Sequence, residues 1–170
     1  PPAYGWVLTD MVTDLQQDDD DRLETVGYVL PGDWCHRLYL RGFDFDVPLD
    51  ATITGIEVHV VRSIQPNGSP VPKVKDSRVR LLLEYDPGPW WWSDERLTPE
   101  DWPDTDEART YGSDSDTWGR TLADPWTPEL VNLPEFGLNL RAGVEPTETT
   151  SARMRYDQVY VQVYYQQPCP

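Results

Sequence analysis

The stretch that most constrains the fold runs from Gly42 to Ser63 and contains two runs in which apolar residues alternate with polar ones. One face of each run is apolar, formed by Phe43, Phe45 and Val47 in the first run and by Ile56, Val58 and Val60 in the second. Because successive side chains of a strand point to opposite faces, the pattern predicts two antiparallel strands with one face in a core and one in water. Pro48 and Asp50 between the runs are turn residues, so the stretch predicts a β-hairpin.

The same alternation recurs along the chain and sets the predicted fold class. With residues 36–63, the segments 77–85, 134–142 and 153–165 are the expected principal strands. Gly42 and Gly55 stand where the alternation changes parity, which predicts a β-bulge at each. Thr98 and Thr127 each begin a Thr-Pro-Glu sequence, which favours one or two short helical turns. The sequence therefore predicts an all-β protein, an antiparallel β-sandwich of jelly-roll type.

The length of the chain predicts one domain. A chain of 170 residues can bury one good core, and its 17 Pro and 11 Gly suit short elements joined by turns. We expect residues 1–35 to be an N-terminal arm that includes a first strand and is partly docked. Residues 36–167 then form the β-sandwich, and residues 168–170 are a C-terminal tail.

The charge of the chain restricts its partners. Asp and Glu number 30 against 14 Lys and Arg, so the formal net charge is -16. Such a surface repels phosphate backbones and anionic lipids, and neither nucleic acid nor membrane is expected as a partner. No stretch has the apolar length of a membrane span. A habitat of high salt is an alternative origin of the excess of acid.

Few residues have the pattern of a catalytic or metal site. Cys35 and Cys169 lack metal-ligand spacing, and either one disulfide or two free thiols fits them. His36 and His59 have no nucleophile motif beside them, apart from the cysteine next to His36. Glycine-rich phosphate loops are absent from the sequence. We therefore expect no enzyme activity, no cofactor and no metal.

Aromatic residues are the candidates for contact with a partner. Trp90, Trp91 and Trp92 are consecutive, and tryptophans are frequent in interfaces and in sugar-binding sites, although they also fill cores. We expect at least one of the three to be buried and one exposed. Tyr160 and Tyr164 lie on the polar face of the last predicted strand, which is typical of a covered surface.

Two further residues are predicted to be structural. Trp118 lies in a loop, Tyr111 to Gly119, that has a glycine near each end, and its ring can fill the open end of the sandwich. Asp157 shares the parity of the apolar residues in its strand, so its carboxylate needs a partner. Arg155, two residues earlier, is the nearest candidate, and backbone amides are the alternative.

Five blocks of the sequence carry a resemblance to a known family: GFDFDVPLDATITGIEVHVVRS, VKDSRVRLLL, YGSDSDTWG, FGLNLRA and RMRYDQVYVQVYY. In this order they resemble a β-sandwich domain found in structural proteins of tailed viruses and in prophage regions. The blocks cover most of residues 36–165. The arm and the acidic, Trp-rich segment 89–109 depart from the family pattern, so these are where a particular partner would be specified.

The resemblance implies a function without catalysis. A protein of this family would be a structural component of the virion, such as a capsid decoration or cement protein, and usually oligomeric. Its partners would be other virion proteins of the capsid or the tail. The alternative is a carbohydrate-binding or receptor-binding module of a tail fibre, in which exposed Trp and Tyr stack on a glycan.

Overall fold

The computed structural model describes Leu15, residues 22–83 and residues 91–168. Several sequence-based predictions concern residues outside these ranges. They include the interface role of Trp90, the state of Cys169 and the docking of most of the arm. Those predictions stay as they were made.

The described residues form eight strands and one short helix. The strands are β1 Leu23–Glu24, β2 Leu38–Arg41, β3 Thr52–Asn67, β4 Val74–Leu83, β5 Trp91–Trp92, β6 Glu107–Ser113, β7 Phe136–Val144 and β8 Ser151–Gln166. The helix, α1, is Pro128–Val131. Among the described residues, one antiparallel sheet has the strand order β1-β8-β3-β6 and the other has the order β2-β7-β4-β5. This double-sheet order is a jelly roll, and the predicted fold class is confirmed.

The core lies between the two sheets. In β4 and β7 every second residue points inward. The inward residues include Val79 and Leu81 of β4 and Leu138 and Leu140 of β7, and all four are buried. The opposite wall comes from β3 and β8, which pair over almost their whole length. Burial of this apolar surface is the main stabilising term of the fold.

The hairpin predicted between residues 42 and 63 is wrong. β2 pairs with β7 and β3 pairs with β6 and β8, so the two elements lie in different sheets. Residues 42–48 form no strand and connect one sheet to the other. Their backbone is held instead by the side chain of Asn132, whose amide bonds both the N–H and the C=O of Val47. Phe43 and Phe45 pack on Phe136. The alternation of apolar residues in this segment therefore reflects contacts with the core and not hydrogen bonding to a neighbouring strand.

The two glycines predicted to form bulges behave differently. At Gly55 the register of β3 on β8 shifts, as predicted. A Cβ there would lie 2.3 Å from the backbone carbon of Asp114, so only glycine fits. Gly42 follows the end of β2 with φ of +71°, and the bulge predicted there is not formed. Gly42 ends its strand because its backbone takes a left-handed conformation.

Of the two predicted helical turns, one forms. Thr127 precedes α1 and Pro128 opens it. The turn predicted at Thr98 is wrong, since residues 93–98 have no regular secondary structure and only a bend follows. There the Thr98 hydroxyl bonds Arg62 and Asp76, so the side chain that could cap a helix is used by a buried charge pair.

Candidate functional site

The two described tryptophans of the run, Trp91 and Trp92, are both partly buried, so neither is the fully buried or the exposed member that the sequence predicts. Trp91 packs edge-on against Trp126, with ring centroids 5.1 Å apart, and the guanidinium of Arg120 lies 4.2 Å from its ring. Trp92 is half-buried, and its ring lies 6.3 Å from that of Tyr39 on the outer face of the second sheet. Trp91 is therefore a packing residue. Trp92 is the member of the described pair that reaches an outer face.

Trp118 is fully buried. Its indole N–H donates to the carbonyl of Ile56 at 2.7 Å, and its backbone N–H donates to the Asp116 carboxylate at 2.8 Å. The same carboxylate accepts two bonds from Arg96, at 2.6 and 2.7 Å. The bond from Arg96 is the main cause of the lowered pKa of Asp116. Trp118 thus closes the loop against β3, consistent with a structural role.

Asp157 lies where β8 changes parity. The register of β3 on β8 shifts between Val61 and Arg62, and Asp157 falls at this irregularity. Its side chain is 1% exposed. Arg155 donates to Glu24 at 3.1 Å and to Gln65 at 2.7 Å, so its guanidinium joins β1 and β3 to β8. Its assignment as the partner of Asp157 stays a prediction.

Tyr160 lies on the outer face of the first sheet. It is 44% exposed and stacks on His59, with ring centroids 4.3 Å apart. His59 also lies 2.6 Å from a Glu57 carboxylate oxygen, measured from Nε2. Tyr164, four residues further along β8, is half-buried. This face offers one well-exposed aromatic ring beside a histidine that already has contacts.

A buried charge pair crosses the core. Arg62 of β3 donates to the Asp76 carboxylate of β4 at 2.6 Å and to the hydroxyl of Tyr111 at 2.6 Å, and both charged side chains are almost inaccessible. Trp102 donates to the second oxygen of Asp76 at 3.0 Å. Burial is the largest single influence and lowers the pKa of Arg62, but the charge of Asp76, its hydrogen bond and the neighbouring tyrosines together outweigh burial, so the pKa is raised. The group therefore joins the two sheets as a hydrogen-bonded ion pair.

The outer face of the second sheet carries a concentration of positive charge that the sequence did not reveal. Arg78 of β4 and Arg141 of β7 are direct cross-strand neighbours. Arg37 precedes β2, which pairs with the other edge of β7, and Arg80 follows two residues along β4. We call Arg37, Arg78, Arg80 and Arg141 the arginine face. Like charges directly opposite one another in a sheet are destabilising, so the arrangement lowers the stability of the isolated fold.

The arginine face is only partly neutralised. One carboxylate oxygen of Glu95 lies 3.0 Å from Nε of Arg80 and 3.6 Å from Nε of Arg78. Neither N–H is aligned for a hydrogen bond, so these are loose ion pairs. The pKa of Arg78 is lowered, first by burial and then by the charges of Arg37 and Arg80.

Aromatic rings surround the arginine face. Arg141 lies 5.7 Å from the ring of Trp34, which is 40% exposed and rests on Gly143. Arg37 donates to the hydroxyl of Tyr39 at 3.4 Å, and Trp92 lies beyond Tyr39. Trp, Tyr and Arg are the three residue types most enriched among residues that dominate the energy of protein interfaces. The face is therefore rich in the residue types that often dominate protein interfaces.

A shallow hollow opens at one side of the arginine face. Its volume is about 380 Å³, and it is lined by Cys35, His36, Arg37, Tyr39 and Arg141. Burial raises the pKa of the Cys35 thiol to about 11. The thiol is therefore protonated and uncharged where it lines the hollow, and it is a poor nucleophile. The hollow can therefore recognise an anionic group through Arg37 and Arg141, but it does not supply an activated thiol.

Within residues 22–83 and 91–168 no group of three His, Cys, Asp or Glu side chains is arranged to hold a metal ion. No helix in the same ranges is long and apolar enough to cross a membrane.

No protein-family model, curated protein or solved structure matches the chain. The viral resemblance of the five sequence blocks therefore stays a prediction.

Proposed function

We propose that the chain is a non-enzymatic structural protein of a tailed virus particle, with capsid decoration or cement as its role in the virion. Three observations support the proposal. The double-sheet jelly roll is an architecture used by viral capsid domains. Five blocks in order carry the resemblance to virion proteins. The third and principal support is the arginine face, which is rich in the residue types that often dominate protein interfaces.

Four described side chains that could perform chemistry, those of Cys35, His59, Arg62 and Asp76, have structural contacts, which supports the non-enzymatic part of the proposal. The Cys35 thiol is buried and neutral, and His59 is held between Tyr160 and Glu57. The charges of Arg62 and Asp76 are sealed in the core. A nucleophile needs an accessible base beside it, and these groups do not provide that pair.

The proposed partners are other virion proteins of the capsid or the tail, together with further copies of this chain. The net charge of -16 opposes binding to nucleic acid and to anionic membranes. A partner that contacts the second sheet would meet Trp34, Tyr39 and the four arginines together. Capsid decoration needs a surface that recognises other virion proteins, and the second sheet would supply that surface.

Detection of the protein in purified particles tests the proposal. Particles from the source culture would be banded on a density gradient, separated into heads and tails, and analysed by quantitative mass spectrometry. We expect the chain in constant ratio to the major capsid or tail protein. A non-structural viral protein of similar abundance in the lysate is the control. If the chain is abundant in the lysate but is removed from the particles together with this control, the proposal is wrong.

Binding of a glycan receptor is the second candidate function. It is favoured by the 44% exposed ring of Tyr160 on the outer face of the first sheet and by the use of jelly rolls as lectin domains. A glycan array with the wild-type chain and with Tyr160→Ala and Trp92→Ala variants tests it. Sugar binding that either substitution abolishes would favour this function over decoration. An array with no signal above a non-lectin control would exclude the glycans it carries.

A further inference from the structure

We propose that the arginine face binds an acidic segment of a partner protein, whose Asp and Glu carboxylates contact Arg37, Arg78 and Arg141. The inference rests on the proposed function and deepens it, since it names the chemistry of the partner. It concerns the second sheet alone and does not involve the tyrosines of the first.

The placement of the arginines suits several carboxylates at once. Arg78 and Arg141 are directly opposite in neighbouring strands, where side chains stand about 5 Å apart. Arg37 continues the row beyond the first residue of β2, since Leu38 pairs with Leu140 next to Arg141. A carboxylate above this row can accept hydrogen bonds from two guanidinium groups, and charge-assisted bonds of this kind are the strong ones.

The arginines of the arginine face are paired with carboxylates less completely than the arginines elsewhere in the described chain. Most other described arginines have a carboxylate within 3.2 Å, as in the pairs Arg62–Asp76, Arg96–Asp116, Arg109–Glu107, Arg120–Asp124 and Arg153–Glu24. In a chain with 30 acidic residues, such pairing is easily arranged. On the arginine face the single carboxylate of Glu95 is instead shared by Arg78 and Arg80, and the charges of Arg37 and Arg141 also act on Arg78. Among the described residues, the local excess of positive charge is thus only partly compensated by the chain's own acids.

The aromatic neighbours and the hollow give the arginine face an apolar border and a concave site beside its charges. Trp34 and Tyr39 border the arginines and are 40% and 36% exposed. The hollow beside Arg37 and Arg141, at about 380 Å³, has room for a side chain that ends in a carboxylate. An acidic segment with an apolar residue next to its carboxylates would meet both kinds of surface. Such a combination gives more specificity than charge alone.

The remaining charge of the protein favours a short acidic segment over a nucleic acid. Duplex DNA carries one negative charge per about 1.7 Å and would extend beyond the arginine face onto acidic surface. A segment of a few Asp and Glu residues covers only the face. Repulsion from more distant carboxylates is then weakened, since charges in about 0.15 M salt are screened over roughly 8 Å.

Fluorescence anisotropy with a fluorescein-labelled octaglutamate peptide tests the inference. We expect saturable binding at about 50 mM NaCl that weakens strongly toward about 500 mM. The double substitution Arg37→Gln and Arg78→Gln should weaken it by about tenfold or more. A control variant with Lys73→Gln and Arg109→Gln makes the same change in net charge away from the face, and it should bind as the wild type does. Circular dichroism checks that each variant is folded, and Arg37→Gln alone, at an exposed position, replaces the double variant if that one is not.

Equal affinity of the face variant and the control variant would overturn the inference, as would the absence of peptide binding. Tighter binding of a short DNA duplex at the same arginines would overturn it too, in favour of a phosphate partner. Failure of the proposed function gives a different result. The chain would then be missing from purified particles while peptide binding and its dependence on Arg37 and Arg78 persist.

Discussion

Arg62 and Arg78 show two opposite ways of placing the same side chain in one sandwich. Arg62 is inaccessible to solvent and has Asp76, Tyr111 and Thr98 as hydrogen-bonding partners. Arg78 is 23% exposed, faces Arg141 across the sheet and has a carboxylate oxygen only at 3.6 Å. The charge that is hidden from water is well paired, whereas the charge near water is crowded by charges of the same sign.

The difference follows from the cost of burying a charge. A buried guanidinium without partners is strongly unfavourable, so Arg62 can stay in the core only with its network in place. Near water, repulsion between guanidinium groups is reduced to a fraction of a kcal/mol or about 1 kcal/mol per pair. Such a cost is small enough to persist in a folded protein where binding benefits from it. The buried arginine therefore specifies the structure, and the exposed ones are available for recognition.

Removal of Asp76 should have the largest effect. Asp76→Ala leaves the Arg62 charge buried without its carboxylate and takes acceptors from Tyr111 and Trp102. We expect a loss of about 3–5 kcal/mol in the free energy of unfolding, measured in urea. Asp101→Ala, at a carboxylate that is 42% exposed, is the control and should change stability by less than about 0.5 kcal/mol. Similar losses in both variants would show that the buried pair has no special role.

Trp118→Ala should cost about 3–5 kcal/mol as a large-to-small core substitution. Its indole is fully buried and bonds the carbonyl of Ile56, so a cavity and an unpaired acceptor result. Urea unfolding beside an assay of particle binding is the measurement, and Leu122→Ala, at a fully exposed position outside the arginine face, is the control. If Trp118→Ala retained its stability but lost partner binding, the loop rather than the arginine face would be the functional site.

Lowering the pH should remove the stabilisation that Asp116 provides through its pair with Arg96. The bond from Arg96 lowers the pKa of Asp116 below its value in the unfolded chain. Its contribution to stability is therefore present above pH about 4 and is lost as pH falls through the lower, folded pKa. Asp116→Asn should remove this part of the acid-induced loss, which urea unfolding at a series of pH values would detect. An unchanged pH profile would contradict the role of the Arg96–Asp116 pair.

The smallest expected effect is a gain. Arg37→Gln with Arg78→Gln relieves like-charge repulsion, while Glu95 keeps its closer partner Arg80 at 3.0 Å. Unfolding in urea should show stability that is equal or higher by about 0.2–1 kcal/mol. A loss above about 1 kcal/mol would mean that these arginines stabilise the fold, and the contrast with Arg62 would no longer hold.

Local patterns were sufficient to predict the sandwich class. Strands β3, β4, β7 and β8 follow from alternation, and the parity change at Gly55 does correspond to a register shift. Strand β6 was missed because Glu107 to Ser113, at a sheet edge, has mostly accessible residues and no apolar face.

What failed was the choice of partner, which depends on distant residues. The alternation from Phe43 to Val47 is real, but it is satisfied by Phe136 and Asn132, about ninety residues away, rather than by the neighbouring strand. The arginine face was missed for the same reason. Arg78 and Arg141 are 63 residues apart in sequence, and only the register of β4 on β7 brings them together.

The pairing of β1 with β8 has a consequence for how the chain folds. Leu23 pairs with Tyr156, and Leu38 pairs with Leu140. Strands β1 and β2 can therefore pair only after β8 and β7 have been synthesised. Topologies dominated by such distant pairings fold slowly, in milliseconds to seconds, because the long loops must close before any contact compensates for their lost entropy. On a ribosome that adds about 5–20 residues per second, the early strands must wait for several seconds in an open state. The repulsion among the many carboxylates of the chain can keep nascent copies apart during that interval.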